Sequence, residues 1–470
     1  MNSEKIPQHY DRITNCRKKY ITRHKYYYNM LFEYYRHIVP AGKRVLEIGC
    51  GTGELLNAVH PSYGLGVDVS SAVISCAREK FPNLHFSSQA LNGLDSEQPF
   101  DYILVSGTLG ECPDIQEFLN QLRRFCAPHT RIIIEYYSYL WQLILKLAEK
   151  LHLKMPQKTQ NWFTANDLRN FFRLTDYENI RLERRILFPL YIPLLSPFLN
   201  KIAANLPLLN AFTLNHFMIA RLKPETRKHP EYSVSIIIPC RNERGNIEPA
   251  VRRTPVFGKN QEFIFVEGGS QDGSYEEVQR IIEKYGTEKD IRAYRQPGKG
   301  KADAVWEGFR KANGNILMIL DADLTVAPET LPKFYHAIQT HKGEFINGCR
   351  LVYPMEKEAM RTLNLIANKF FGILFSWLLG QPLKDTLCGT KVLFRDHYET
   401  FVRSDAGFSS FDPFGDFALL FGAAKSNLKI LELPIHYKER RYGSTQIRRF
   451  YHGLFLFKMS WVAMRKFKFF

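Results

Sequence analysis

Ser235-Ile-Ile-Ile-Pro-Cys-Arg-Asn-Glu243 and Leu320-Asp-Ala-Asp-Leu324 lie within about 90 residues of one another, each built around a run of apolar β-formers. Ile316-Leu-Met-Ile-Leu320 reads as a strand that ends in Asp321-Ala-Asp323. Two carboxylates are thereby set at the carboxyl edge of a parallel sheet, where they can hold a hard divalent cation against a diphosphate. The rival reading is a calcium loop of the EF-hand type. It fails, because its sixth position would be Val326 and its twelfth Pro332, where that loop demands glycine and glutamate.

Outward from these strands, Arg221-Leu-Lys-Pro-Glu-Thr-Arg-Lys-His-Pro-Glu231 is a charged stretch with two prolines. A linker is expected over residues 222–232, dividing residues 1–221 from residues 233–470. Both sides alternate apolar strands with helical patterns, so the fold class is α/β: two doubly wound α/β domains with parallel sheets. In the first, Arg44-Val-Leu-Glu-Ile48 runs into Gly49-Cys-Gly-Thr-Gly53 and then the helical Glu54-Leu-Leu-Asn-Ala-Val59. A dinucleotide fingerprint would need glycine where Glu54 stands. The next strand, Gly64-Leu-Gly-Val-Asp68, ends in an acid able to accept both hydroxyls of a ribose. Alone, the glycine cluster would be a tight turn; with Asp68 it reads as a cofactor site.

The chain has 470 residues, 45% of them apolar, which suits two or three domains with cores of their own. Its eight cysteines include no Cys-x-x-Cys pair. That argues against a structural zinc site and a disulfide scaffold, and the thiols are expected to be reduced in a cytoplasmic protein. The opening Met1-Asn-Ser-Glu-Lys-Ile-Pro7 lacks the apolar region of a signal peptide. No stretch reaches the roughly 18–20 consecutive apolar residues needed to cross a bilayer. The net charge of +17 is uneven, since residues 436–470 hold nine Lys or Arg against the single Glu439. Such a patch favours an anionic lipid, a phosphorylated substrate or nucleic acid. Residues 186–209, 370–379 and 451–470 are apolar enough to lie on a membrane. The tail Arg465-Lys-Phe-Lys-Phe-Phe470 interleaves aromatic and basic residues as an interfacial anchor requires. A peripheral anionic membrane surface, on the inner face of the membrane, is therefore expected as a partner ahead of nucleic acid.

Glu47-x-Gly-x-Gly-x-Gly53 resembles motif I of the class I S-adenosylmethionine-dependent methyltransferases, and Phe100-Asp-Tyr-Ile-Leu-Val105 looks like the fourth strand of that fold. The resemblance covers roughly residues 10–221. It implies S-adenosyl-L-methionine held by Glu47, Gly49, Gly51, Gly53 and Asp68, and it names no methyl acceptor. The sequence departs from the family at Gln89, where members often carry an acid for the adenine amino group.

Residues 233–470 resemble the family 2, GT-A type glycosyltransferases, most closely the dolichyl- or polyprenyl-phosphate sugar synthase branch. Ile238-Pro-Cys-Arg-Asn-Glu243 matches the family's opening strand and loop, implying nucleoside contacts from Pro239 and Glu243. Phe265-Val-Glu-Gly-Gly-Ser-Gln-Asp-Gly-Ser274 matches the nucleotide loop, with Asp272 and with Glu267 where aspartate is usual. Gly298-Lys-Gly-Lys-Ala-Asp-Ala304 offers Lys301 and Asp303 to the donor. Lys384-Asp-Thr-Leu-Cys-Gly-Thr-Lys-Val-Leu-Phe394 resembles the family's Asp-x-x-x-Gly segment, with Asp385 as its acid, and Asp412-Pro-Phe-Gly-Asp-Phe417 implies Asp416 as the acceptor-side acid. Tyr437-Lys-Glu-Arg-Arg-Tyr-Gly-Ser444 resembles an Arg-x-x-Gly-x-Ser element, implying Arg440 for an acceptor phosphate.

The implied reaction is an inverting displacement, with Mg2+ or Mn2+ on Asp321 and Asp323 at the diphosphate of a UDP- or GDP-linked sugar. A polyprenyl-phosphate acceptor needs no strong base, so Asp385 and Asp416 would orient it; for a hydroxyl acceptor Asp416 becomes the general base. The alternatives are a glycosyltransferase of cell-envelope glycans whose methyltransferase half methylates the product, a nucleic-acid methyltransferase, and an inactive membrane scaffold.

Overall fold

The computed structural model describes residues 20–94, 96, 98–155, 157, 160–224, 229–353, 362–403, 415–440, 442 and 449–469. The chain divides into two compact units, one of Met1–Lys223 with Lys468–Phe470 and one of Pro224–Phe467. No helix among the described residues is long and apolar enough to cross a membrane.

In the first unit the elements run α1 (Lys25–Ile38), β1 (Arg44–Ile48), α2 (Glu54–Ala58), β2 (Tyr63–Val67), α3 (Ser71–Lys80), β3 (His85–Ser87), β4 (Phe100–Ser106), α4 (Ile115–Leu122), β5 (Cys126–Tyr137), α5 (Gln142–Lys150), α6 (Ala165–Leu174), β6 (Tyr177–Arg185), α7 (Leu195–Lys201) and β7 (Asn215–Leu222). The sheet order is β3-β2-β1-β4-β5-β7-β6. Alternate strand residues serve opposite faces: Leu46, Ile48, Ile103, Val105, Ile132 and Ile134 meet α4 and α6, whereas Val45, Leu104, Ile133, Phe217 and Ile219 meet α1, α2 and α3. Helix starts are set by side-chain caps, with Ser70 Oγ accepting from Val73 N (3.2 Å) and Thr164 forming a reciprocal capping box with Asp167.

The second unit runs β8 (Val234–Cys240), α8 (Arg244–Arg253), β9 (Gln261–Glu267), α9 (Ser274–Tyr285), β10 (Asp290–Arg295), α10 (Lys301–Lys311), β11 (Ile316–Ile319), α11 (Leu331–Gln339), β12 (Phe345–Cys349), α12 (Thr362–Leu379), β13 (Lys391–Phe394), α13 (Arg395–Arg403), α14 (Asp416–Lys425), β14 (Ile430–Pro434) and α15 (Arg449–Phe467). Its sheet order is β10-β9-β8-β11-β13-β12-β14. Ile237, Ile264, Leu317 and Ile319 pack on α10, α12 and α14. Their neighbours Ile236, Ile238, Phe263 and Met318 pack on α8, α9 and α11.

Both units are α/β with helices on both faces, but the sheets are mixed where wholly parallel ones were expected. β7 runs antiparallel between β5 and β6, and β13 antiparallel between β11 and β12. An antiparallel strand needs no crossover helix, so the helix-strand alternation that signals parallel pairing says nothing about these two insertions. The parallel cores β1 to β5 and β8 to β11 remain, and in each the strand order reverses beside the first strand, between β1 and β4 and between β8 and β11. Sites in open α/β sheets form at such reversals, outside the carboxyl ends of the strands.

The C-terminal segment, expected to lie on a membrane as an anchor, is the helix α15 with one face in the core. Leu456, Met459, Ala463 and Phe467 are buried, and Phe467 meets Phe421 at 5.8 Å between ring centroids. Phe457 and Trp461 remain exposed. Replacing fully buried Met459 by alanine should cost about 2–5 kcal/mol in chemical denaturation, a loss that a detachable anchor would not show.

Candidate functional site

In the second unit the turn after β8 and the loop after β9 are laced into one layer. Asn242, in the left-handed region at φ 55°, donates its amide to Ser270 Oγ (2.9 Å) and accepts from Gln271 N (2.9 Å). Asparagine tolerates that conformation better than most residues. Glu243 N donates to Ser274 Oγ (2.9 Å), and Arg244 N to Asp272 (3.2 Å). Asp272 also accepts from Ser274 N (3.0 Å) and from Tyr442 OH (3.3 Å); burial works against its charge, but these donors hold its pKa below the ordinary value. Glu267, at the end of β9, is buried and accepts from Ser270 N. Pro239 stands one residue before the end of β8. Asp303 closes the Gly298 turn by accepting from Gly298 N at 2.7 Å, so its oxygens are engaged in shaping the loop that delivers Lys301.

The Asp321-Ala-Asp323 carboxylates are each faced by a cation. Lys301 Nζ lies 2.6 Å from Asp321 Oδ1. Burial opposes both charges, but mutual attraction prevails, leaving the Asp321 pKa below and the Lys301 pKa above its ordinary value. Arg440 bridges two acids, with Nη2 at 2.7 Å from Asp323 Oδ2 and Nη1 at 3.0 Å from Glu243 Oε1. Asp323 Oδ1 accepts from Thr325 N and Oγ1 at 3.1 and 2.8 Å. Burial, with Asp323 and Asp272 adding repulsion, pushes Glu243 up to about 7 despite Asn246 and Arg440. Arg440 thus joins Glu243 and Asp323 in this structure. Arg441, Gly443 and Ser444 of its motif lie outside the described residues.

Asp385 is fully buried and takes Arg350 in a fork, Nε to Oδ2 at 2.7 Å and Nη2 to Oδ1 at 2.8 Å, with Arg350 N and Leu387 N as further donors. Burial opposes its charge, but Arg350 holds the carboxyl below its ordinary range. The carboxylate is thereby engaged in holding the start of the segment that follows. That segment carries Gly389, where a Cβ would stand 2.0 Å from Asp321 Oδ2 and 2.4 Å from Lys301 Nζ. Only glycine leaves room for the Lys301–Asp321 pair. Asp416 opens α14 after Gly415, and its Oδ1 lies 3.2 Å from Lys391 Nζ; Asp412, Pro413 and Phe414 of its motif lie outside the described residues.

No group of three or more His, Cys, Asp or Glu able to hold a metal ion occurs among the described residues. Two carboxylates suffice where phosphate oxygens and water complete the shell, which is how Mg2+ is commonly held. The oxygen-only pair Asp321 and Asp323 fits a hard cation on that footing.

In the first unit Gly49, Gly51 and Gly53 all take positive φ, at 71°, 54° and 82°. A Cβ at Gly49 would lie 2.1 Å from Thr108 Oγ1 and one at Gly53 2.7 Å from Phe86. The turn therefore demands glycine for both conformation and space. Gly49 N and Cys50 N donate to Val67 O at 2.7 and 3.0 Å, and Gly51 N to Asp68 Oδ2 at 3.0 Å. Asp68 Oδ1 accepts from Ser70 N (3.1 Å), fixing this acid between the turn and α3. Glu47 is buried on β1.

The sequence reading missed Arg350 and Lys391. Lys391 carried a signal, a charge opening the apolar strand Lys391-Val-Leu-Phe394; Arg350 carried none. It also missed Glu135, buried where β5 ends, with Asn215 Nδ2 and Ser106 Oγ (3.0 Å) donating to it. Burial raises its pKa above the ordinary carboxyl value.

Residues 235–406 match the family described as Glycosyl transferase family 2, and residues 22–182 the family described as Methyltransferase domain. A dolichol-phosphate mannosyltransferase of Pyrococcus furiosus is 39% identical over 221 residues, which is 46% of this chain and 59% of that protein. An undecaprenyl-phosphate 4-deoxy-4-formamido-L-arabinose transferase of Salmonella paratyphi B is 26% identical over 225 residues, 46% of this chain and 63% of that protein. The chain thus spans roughly three fifths of these curated relatives. A crystal structure of a SAM-dependent methyltransferase from Thermotoga maritima is 17% identical, with TM-score 0.36 over 46% of this chain and 97% of that one.

Removing Arg350 strands a buried charge, so Arg350→Ala should lower stability by about 3–5 kcal/mol in denaturant titration, with part recovered in the R350A/D385A pair. Glu243 predicts a pH effect of definite sign. Its folded pKa of about 7 lies above its ordinary 4.5, so the folded state holds the extra proton between those values and loses stability as pH rises through them. Glu243→Gln should therefore gain on wild type between about pH 5 and 8, by at most about 3 kcal/mol, in melts recorded across that range.

Proposed function

We propose that this chain, which joins a methyltransferase domain to a family 2 glycosyl transferase domain, moves a sugar from a nucleotide-sugar to a polyprenyl-phosphate acceptor and carries a second, S-adenosyl-L-methionine-dependent activity. The observation that carries the sugar-transfer reading is the charge constellation at the β8/β11 reversal, Lys301 on Asp321 and Arg440 on Asp323 and Glu243. The likeness to a dolichol-phosphate mannosyltransferase and an undecaprenyl-phosphate sugar transferase supports a lipid phosphate as acceptor.

Pro239, Glu243, Glu267 and Asp272 frame the nucleoside end of the donor, and Lys301 reaches its diphosphate from the start of α10. Asp321 and Asp323 would hold Mg2+ or Mn2+ there, which supplies charge neutralisation for the departing nucleoside diphosphate. An acceptor phosphate oxygen forms its bond to the anomeric carbon as the carbon–oxygen bond to the diphosphate breaks, with inversion. The electron pair leaves with the nucleotide. Because the attacking oxygen is already anionic, Asp416 orients the acceptor and needs to take no proton. Arg440, released from the acids it bridges, can turn to a phosphate, a task suited to its planar fork.

In the first unit the Gly49–Gly53 turn, Glu47 and Asp68 would hold S-adenosyl-L-methionine. Methyl transfer then needs chiefly alignment of the sulfonium with a nucleophile. An acceptor borne on lipid suits a chain working at the inner, cytoplasmic face of an anionic membrane.

The test is transfer of label from radiolabelled UDP- and GDP-sugars into the organic phase with polyprenyl phosphate and Mn2+. Asp323→Ala should lose at least about 100-fold, whereas Asp416→Asn should stay within about tenfold of wild type. Collapse of the Asp416→Asn enzyme would make Asp416 a general base and the acceptor a hydroxyl. Absence of lipid-phase label from every donor would overturn the lipid-phosphate reading.

A further inference from the structure

In the first unit, α5 and residues 186–214 turn outward apolar side chains that the core does not use. Leu143, Ile144 and Leu147 of α5 are exposed, Leu143 by 80%. From the second segment Leu194 stands 89% exposed, Leu208 84% and Phe198 54%. Trp141 Nε1 donates to Phe212 O at 2.8 Å, and Trp141 and Leu145 pack against the same core cluster that takes Ile186 and Leu214. The two elements are therefore parts of one surface. Single exposed leucines are ordinary, whereas a contiguous apolar surface marks an interaction site.

Two observations say what covers it. The segment satisfies its own backbone: Asn200 Oδ1 accepts from Leu187 N and Phe188 N at 2.8 and 2.9 Å, and its Nδ2 donates to Phe188 O at 2.7 Å. Ser196 Oγ accepts from Ile192 N and donates to Leu190 O, both at 2.7 Å, and Asn210 Nδ2 donates to Ala204 O at 2.6 Å. Irregular backbone needs such internal partners where water is scarce. The second observation is charge. Residues 186–214 contain a single ionic side chain, the exposed Lys201, while α5 adds exposed Lys146 and Lys150, and its Glu149 is paired with Lys154. Cations beside an apolar face complement phosphate headgroups. Leu194, moreover, holds a φ of 64°, in the left-handed region that costs a leucine strain.

We propose that this face of the methyltransferase unit docks on an anionic lipid bilayer, with Leu143, Leu194 and Leu208 entering the headgroup boundary and Lys146, Lys150 and Lys201 facing lipid phosphates. It gives the membrane reading above a definite surface, yet rests on neither the sugar donor nor the lipid-phosphate acceptor.

The test sediments the full chain with vesicles of phosphatidylcholine, with and without phosphatidylglycerol, containing no polyprenyl phosphate and no nucleotide. Wild type should bind more strongly when phosphatidylglycerol is present. L194E/L208E should weaken binding at least about tenfold while melting like wild type, since both positions are exposed, and K146E/K150E should abolish the phosphatidylglycerol preference. Sedimentation of L194E/L208E equal to that of wild type overturns the proposal, as does failure of wild type to bind. A concentration-dependent dimer in analytical ultracentrifugation that L194E/L208E dissolves would overturn it in favour of a second copy of this chain. Without donor or acceptor in the vesicles, failure here leaves the sugar-transfer reading standing, and failure of the transfer assay leaves this one.

Discussion

Carboxylates gathered at one sheet edge repel one another unless each is faced by a cation, and the second unit meets that constraint four times. Lys301 faces Asp321, Arg440 faces Asp323 and Glu243, Arg350 grips Asp385, and Lys391 lies beside Asp416. The pairs are graded by burial. Arg350–Asp385 is sealed, with Asp385 fully buried, and its desolvation is offset by a bidentate geometry and two backbone donors. Lys301 and Asp321 are each a quarter exposed, so their attraction is weaker and exchangeable. A polyanionic ligand entering the cleft would compete for Lys301 and Arg440 but not for Arg350.

Glu243 is the weak point of this balance. It shares one guanidinium with Asp323, and burial outweighs the half-share of charge it receives, which is why its proton is held to about pH 7. Any group that drew Arg440 away would raise that pKa further unless it brought positive charge of its own. Two acids that the family resemblance would assign to the donor are thus coupled to the arginine it would assign to the acceptor.

The glycine turn, Asp68 and the Asp321-Ala-Asp323 edge were legible in the sequence because each is a local event, a strand running into a turn whose residue types admit few conformations. Lys301 was legible for the same reason. Arg350 was not, and Lys391 showed only as a charge opening an apolar strand with no partner indicated, since the partners lie 35 and 25 residues away and the pairing is created by the antiparallel entry of β13. Glu135 was hidden similarly, because its partner Asn215 is 80 residues distant. Residues 451–470 were half legible. A helix with aromatic and basic residues has the same period whether its apolar face meets lipid or protein, and only tertiary packing assigns Met459 and Phe467 to the core.

The two units place their candidate sites at the same topological point, and only the second adds the cations Lys301 and Arg440 to its acids. At the β1/β4 reversal the amides of Gly49 and Cys50 are taken by Val67 O, and that of Gly51 by Asp68. Little donor capacity remains there for an anion, while Glu47, Asp68 and Glu135 supply acid. At the β8/β11 reversal Lys301 and Arg440 are paired with Asp321, Asp323 and Glu243. A positively charged sulfonium is at home in the first setting and a diphosphate in the second. The division of labour proposed for the chain is in keeping with Lys301 and Arg440 at the second sheet edge, where a diphosphate accompanied by a divalent cation would meet charge of both signs.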